Sequence, residues 1–269
     1  MLKLQTPVSD LPCKVGISYD DRIMMLGSCF SDNIGRQLDE LGFDVCINPF
    51  GTLYNPASIL GSIERLVRGQ EFTEDDCIRI GAGDERWCSF FHHTSFARET
   101  KEEFLDNANK ALKTACAKFS ESDKVIITLG TSWCFRHIER DFIVSNCLKR
   151  NPKEFVREFL TSDKTAGLMK EIKQMCPDKE FIFTVSPIRH FKDGAHGNQL
   201  SKATLLLAIE EICKRNSNCE YFPAFEILMD ELRDYRFYAD DMLHPSSAAV
   251  EYIWERFSDC YFSDETKGL

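Results

Sequence analysis

The chain has 269 residues, 43% of them hydrophobic and 28% charged, a composition that excludes a disordered or low-complexity protein and supplies enough apolar mass for one large core. The formal net charge is -10, and without a clustered basic face this argues against nucleic acid as a partner. No stretch approaches the roughly 20 apolar residues of a membrane span, and "MLKLQTPVSDLPCK" at 1–14 lacks the apolar core of a signal peptide; the expectation is a cytoplasmic protein with no membrane partner.

In chain order, "RIMML" at 22–26 reads as a strand. "DNIGRQLDELG" at 32–42 follows as a helix, with Ile34, Leu38 and Leu41 on one face and Gly42 as its stop. "FDVCI" at 43–47 is a second strand, "NPFGTLYNP" at 48–56 a loop, and "ASILGSIERLVRG" at 57–69 a helix. Residues 72–98 interrupt this rhythm with two β-prone runs around "GAGDE", a hairpin signal and a small β excursion from the main sheet. An amphipathic helix at 101–119 precedes "KVIITLG" at 124–130, a short, continuous, β-branched strand of the parallel type. "RDFIV" at 140–144 can form a strand, and helical patterns cover 152–160 and 164–175. "KEFIFTVSP" at 179–187 is another buried strand, a long helix spans 198–216, a short strand lies within 219–225, and the last helix covers 246–257 with Pro245 at its start.

Alternating β and α units with continuous apolar strands predict a single domain over 1–269: an α/β fold, a three-layer α/β/α sandwich with a central, mainly parallel sheet. In such folds sites gather at the carboxyl ends of the strands. The segments there are "GSCF" at 27–30, "NPFGT" at 48–52, "GTSW" at 130–133, "SPIRH" at 186–190 and "DDMLHPS" at 240–246. The twelve cysteines are unevenly spaced with no CxxC pair, which points to buried free thiols in a reducing compartment and away from structural zinc.

Ser28 and Cys29 stand side by side at the first strand end. A serine hydroxyl needs a base to take its proton, and a histidine serves best when a carboxylate fixes its tautomer. Asp241 and His244, three residues apart, can supply both from one loop, with Asp240 as the rival carboxylate. Backbone N–H groups near Gly27–Ser28 and in the Gly51 loop can form an oxyanion hole. If Ser28 faces the cleft, Cys29 is expected to turn away into packing. Arg189 and His190 can contact an anionic substrate or hold their loop; His93 is a similar candidate, with Asn146, Asn198 and Lys202 behind it. Trp133 can stack on a sugar or sit in the core.

These segments resemble the SGNH (GDSL-type) hydrolase superfamily and, more narrowly, the bacterial GSCFA family, on "GSCF" at 27–30, "NPFGTLYNP" at 48–56, "LGTSW" at 129–133, "VSPIRH" at 185–190 and "DDMLHPS" at 240–246. The resemblance runs from about "LQTPV" to "WERF". It implies an SGNH-hydrolase-like, flavodoxin-like fold, Ser28 as nucleophile, His244 as base and Asp241 as its orienter. It also implies an oxyanion hole from Ser28 N–H, Gly51 and the third sequence block. There Ser132 stands where the superfamily has an Asn; its hydroxyl can donate one hydrogen bond with shorter reach, and Asn48 or Asn55 can compensate. The implied activity is metal- and cofactor-independent hydrolysis of an acyl ester, such as an O-acyl group of a carbohydrate. The alternatives are an acyltransferase using the same residues and a catalytically weak module that binds a glycan or a protein.

Overall fold

The continuous apolar runs of the sequence become the strands of one parallel sheet. In a computed structural model, which describes residues 5–9, 11 and 14–268, the main elements are β1 (Arg22–Gly27), α1 (Cys29–Glu40), β2 (Asp44–Ile47), α2 (Pro56–Arg68), β3 (Ile78–Arg79), β4 (Trp87–Cys88), α3 (Lys101–Glu121), β5 (Lys124–Leu129), β6 (Trp133–His137), β7 (Phe142–Val144), β8 (Phe155–Phe159), α4 (Ser162–Met175), β9 (Glu180–Val185), α5 (Gly194–Arg215), β10 (Cys219–Phe222), α6 (Ala224–Glu226), α7 (Ser247–Tyr261) and α8 (Asp264–Gly268). The central sheet runs β10-β9-β5-β1-β2, and each pairing in it is parallel. Read from β2, this is the flavodoxin-type order 2-1-3-4-5, with the first strand inside the sheet.

Alternation along each strand divides the core in two. Met24, Leu26, Val125, Ile127, Phe181 and Phe183 face α2, α3, α4 and α5, while Ile23, Met25, Ile126 and Ile182 face α1 and α7. Both faces are covered, which is why these strands read as unbroken apolar runs. The α/β/α layering expected from sequence is therefore the fold.

The β excursion exists as the antiparallel pair β3–β4. Residues 152–160 differ from expectation. They form one 3-10 turn, Pro152–Glu154, and then strand β8 instead of a helix. β8 joins β6 and β7 in a three-stranded antiparallel sheet that the sequence reading only half anticipated. Phe155 and Phe159 pair with His137 and Trp133 there, so cross-strand packing decides the conformation of a short segment. Beyond β10, Ala224–Glu226 continues into a π-helical stretch, Ile227–Leu232, which the sequence reading did not separate.

Free thiols are present at ten of the described cysteines. Cys260 is disulfide-bonded, contrary to the expectation of free thiols throughout; bond formation depends on Cα atoms approaching within about 6 Å, which sequence spacing does not reveal. Cys13 and the first four residues lie outside the described residues. No helix among the described residues is long and apolar enough to cross a membrane.

One glycine controls the central junction. Gly27 ends β1 opposite Thr128 of β5 with φ 142°, and a Cβ placed on it would lie 2.2 Å from the Thr128 carbonyl oxygen. Gly27→Ala is therefore expected to lose about 3 kcal/mol through strain and overpacking. Urea unfolding measures this, and a loss below about 0.5 kcal/mol would show that the junction tolerates a methyl group.

Candidate active site

Ser28 follows Gly27 directly and caps α1. Its backbone is extended (φ -70°, ψ 173°), and its Oγ accepts the Phe30 N–H at 3.3 Å. Ser28 is only 1% exposed, yet it lines a cleft of about 710 Å³ at the carboxyl ends of the strands. A groove of equal volume between α4 and α5 holds no comparable set of nucleophile and base.

His244 lines the same cleft. Asp241 organises it twice. Its Oδ1 accepts the N–H groups of Leu243 and His244, each at 2.9 Å, and its Oδ2 meets His244 Nδ1 at 2.6 Å. Those two backbone N–H groups and the His244 ring hold the Asp241 carboxyl down to about 2. An ionised Asp241 can only accept, so Nδ1 carries a proton, and in the neutral ring that places the lone pair on Nε2. The neighbouring Asp240 makes no such contact. No hydrogen bond joins Ser28 to His244 among the described residues, although both line one cavity.

Of the other expected residues, Asn55, Trp133, Arg189 and His190 line the cleft. Asn55 caps α2, with Oδ1 accepting the Ser58 N–H and Nδ2 donating to Ser58 Oγ, each at 2.9 Å; one Nδ2 hydrogen remains. Trp133 is half-buried, and the Arg157 guanidinium lies 4.2 Å above its ring, so that face is already occupied. Burial, with Lys202 and His244 nearby, pushes His190 down to about 4 and keeps its ring neutral.

Four expected residues are not brought to the cleft. Gly51 spends its N–H on the Asn48 carbonyl at 2.7 Å, in a turn with φ 77° packed against His93. Ser132 is fully buried and donates from both N and Oγ to Ser201, at 2.8 and 3.1 Å. Asn48 braces the first strand end, its Oδ1 accepting the Gly27 N–H at 2.8 Å and its Nδ2 donating to Asp32 at 2.6 Å. His93 caps a 3-10 turn through Ser95. The Ser28 N–H is also engaged, on the Thr128 carbonyl at 3.2 Å.

The orientation expected for Cys29 is corrected too. Cys29 lines the cleft beside Ser28 and is the more exposed of the two. Adjacent residues at a helix start are separated by about 100° around the axis, unlike the opposite faces of a strand, so both can border one cavity. Burial and Asp32 push the Cys29 thiol up, against smaller opposing effects of its own N–H, the Phe30 N–H and Lys202. It is thus a poor thiolate source.

Sequence reasoning passed over Tyr54 and ranked Lys202 low. The Tyr54 carbonyl accepts the N–H groups of Gly130 and Thr131 at 2.8 and 2.9 Å, joining two strand-end loops. Lys202 Nζ, fully buried beneath the cleft, donates to the carbonyls of Gly130 and Ser186, each at 2.7 Å. A "KATLLLAIEEI" helix with one lysine on its apolar face was the available signal.

Among the described residues, no group of three or more His, Cys, Asp or Glu side chains could hold a metal ion. Fold and site together define an α/β protein whose strand-end cleft brings a helix-capping serine and an aspartate-anchored histidine to one wall. The chain belongs to the GSCFA family, whose sequence profile matches residues 22–257. Two solved structures are similar to it. One is a Streptococcus pneumoniae protein provisionally assigned as a platelet activating factor, at TM-score 0.44 and 12% identity over 90% of this chain and 84% of that one. The other is a Clostridium thermocellum family 3 carbohydrate esterase, at TM-score 0.40 and 13% identity over 89% and 94%. No curated protein sequence matches.

Burial, with Arg189 nearby, lowers Lys202 to about 7 from 10.5. Below pH 7 the ammonium is present in both folded and unfolded chains. Between pH 7 and 10.5 the unfolded chain binds the extra proton, so this group makes stability rise with pH over that window. Urea midpoints at pH 7, 8 and 9 are expected to show a steeper rise for the wild type than for Lys202→Met. Parallel profiles would place the charge elsewhere.

Proposed function

We propose that the protein is a serine hydrolase of the SGNH type that cleaves acyl esters through an acyl-enzyme on Ser28. The observation that carries the reading is the shared cleft. Ser28 and His244 line it together, with the His244 ring held in its base-competent tautomer by Asp241. Catalytic hydrogen bonds are often loose before substrate binds, so the Ser28–His244 contact belongs to the substrate complex.

In this mechanism His244 Nε2 takes the Ser28 proton as Oγ attacks the ester carbonyl carbon. The tetrahedral oxyanion collapses, the C–O bond to the alcohol breaks, and His244 returns the proton to that oxygen. Water then attacks the acyl-enzyme as His244 takes its proton, the bond from the acyl carbon to Ser28 Oγ breaks, and His244 returns the proton to Oγ as the acid leaves. The oxyanion needs donors other than those first expected. Cys29 N–H is the first-turn donor of α1 that Ser28 does not take, because Phe30 and Ser31 N–H are spent on Ser28 Oγ and Ser28 C=O. Asn55 supplies the second donor, being the compensating asparagine that lines the cleft. O-acylated carbohydrates are a substrate class that this cleft can admit.

A fluorophosphonate is expected to label Ser28, as located by peptide mass spectrometry, and His244→Ala is expected to abolish labelling. A folded protein that stays unlabelled would overturn the reading. Ser28→Ala should lower kcat/KM on an active ester by roughly 1000-fold or more. Asn55→Ser keeps a cap for α2 while removing the amide donor; kcat is expected to fall about 100-fold with the melting temperature nearly unchanged. An unaltered kcat would remove Asn55 from the oxyanion hole.

The engagement of Ser132 with Ser201 favours a second reading, a binding module in a former hydrolase cleft. Saturable binding of an acylated glycan without turnover or labelling would select it. An acyltransferase differs only in the acceptor, and adding an alcohol that captures the acyl group in preference to water separates the two.

A further inference from the structure

The charge of the cleft opposes the charge of the chain. The protein carries a net -10, yet the cleft wall holds Arg157, Arg189 and Lys192 against one carboxylate, Asp193. Arg157 is bonded to Asp193, so these two cancel. Arg189 and Lys192 form no ion pair among the described residues.

Arg189 is held for a purpose other than charge balance. One of its nitrogens, Nη1, donates to Gln199 Oε1 at 3.3 Å and Met229 Sδ at 3.4 Å, both uncharged acceptors. The guanidinium packs 5.5 Å from the centre of the Phe191 ring. Its Nε and Nη2 have no acceptor among the described residues. The Arg189 backbone N–H donates to the Leu243 carbonyl at 3.0 Å, directly before His244. The Arg189 backbone is thus tied to the loop that carries His244, while its guanidinium is held by Gln199 and Met229.

We propose that the cleft takes esters bearing an anionic oxyacid group, a carboxylate or a phosphate, which Arg189 binds beside the reacting carbonyl while Lys192 attracts it at the rim. The ester portion rests on the hydrolase reading; the anion portion rests on Arg189 itself. A guanidinium offers parallel N–H donors that match carboxylate and phosphate oxygens, and a neighbouring aromatic ring and thioether lessen competition from water.

The test uses matched phenyl esters carrying a carboxylate, a phosphate or a neutral methyl ester, with the ratio of kcat/KM for charged over neutral ester read within each variant. The wild-type ratio is expected to exceed 10 and to fall with added salt. Arg189→Met is expected to lower it about 10- to 100-fold, Arg189→Lys to recover part of it, and Lys192→Gln to lower it two- to threefold. The carboxylate and phosphate arms show which oxyacid fits. A wild-type ratio near one, or a ratio that Arg189→Met leaves unchanged, overturns the proposal. Circular dichroism of each variant checks folding, and the lysine variant serves if the methionine variant does not fold. Calorimetric titration with phenyl phosphate and with anisole reads the anion site without turnover. If no ester is cleaved and Ser28 is not labelled, the hydrolase reading falls alone. Saturable binding of phenyl phosphate that is lost in Arg189→Met then still upholds the anion site, and no binding overturns it.

Discussion

The close approach of β1 to β5 at Gly27 and Thr128 is the constraint on which the cleft depends. With no Cβ between them, the Ser28 N–H reaches the Thr128 carbonyl at 3.2 Å and the Leu53 N–H reaches the Gly27 carbonyl at 2.8 Å. From there the linkage continues across the sheet. The Tyr54 carbonyl holds the Gly130 loop, Lys202 ties Gly130 to Ser186, and Arg189 holds Leu243 beside His244. Four strand-end loops and the loop before α7 that carries His244 are thereby cross-bonded. A site on such loops inherits the rigidity of the sheet, which is what accurate placement of a nucleophile and a base requires.

The same arrangement bears on the proposed choice between the adjacent serine and cysteine. Exposure favours Cys29, since Ser28 is nearly buried. Chemistry favours Ser28. Its hydroxyl sits at the positive end of α1, where developing negative charge is stabilised, while the thiol beside it is held protonated by burial and by Asp32. Burial weakens the charge that Lys202 carries near neutral pH. Its two hydrogen-bonded carbonyls match the two N–H groups of a neutral amine, and burial brings it close to half-deprotonated. Its main effect is mechanical, joining β5 to β9 under the cleft.

Much of the architecture was legible because parallel strands covered on both faces must be apolar at every position, and "RIMML", "KVIITLG" and "KEFIFTV" are. Asp241 and His244 were legible for a different reason: both partners lie within one loop, so spacing alone constrains them. β8 was not. In "FVREF" the period-2 pattern is too short to exclude a helix, and the Trp133 and His137 partners that decide it lie some twenty residues away. Gly51, Ser132, Asn48 and His93 lie outside the cleft lining for a common reason. Each satisfies a backbone or side-chain partner inside its own neighbourhood. A polar residue near a strand end reads alike whether it braces the loop or faces the cavity, because the partner is a matter of folded geometry.

The His244–Asp241 pair shows how such a site can function while open to water. Their side chains are 49% and 46% exposed, a setting in which an ion pair alone is weak. The geometry does not rely on burial. Asp241 is fixed by the Leu243 and His244 N–H groups before it meets the ring, and Met242 between them adopts a left-handed conformation (φ 58°) that closes the turn. The carboxylate is therefore aimed by two backbone hydrogen bonds within its own turn. Under the proposed mechanism, an ester entering the cleft covers the ring, excludes water and strengthens the Asp241–His244 interaction as positive charge develops on the imidazole. In that proposal the pair is weakly coupled in the empty cleft and strongly coupled in the filled one, so the base reaches full strength only when a carbonyl stands before Ser28.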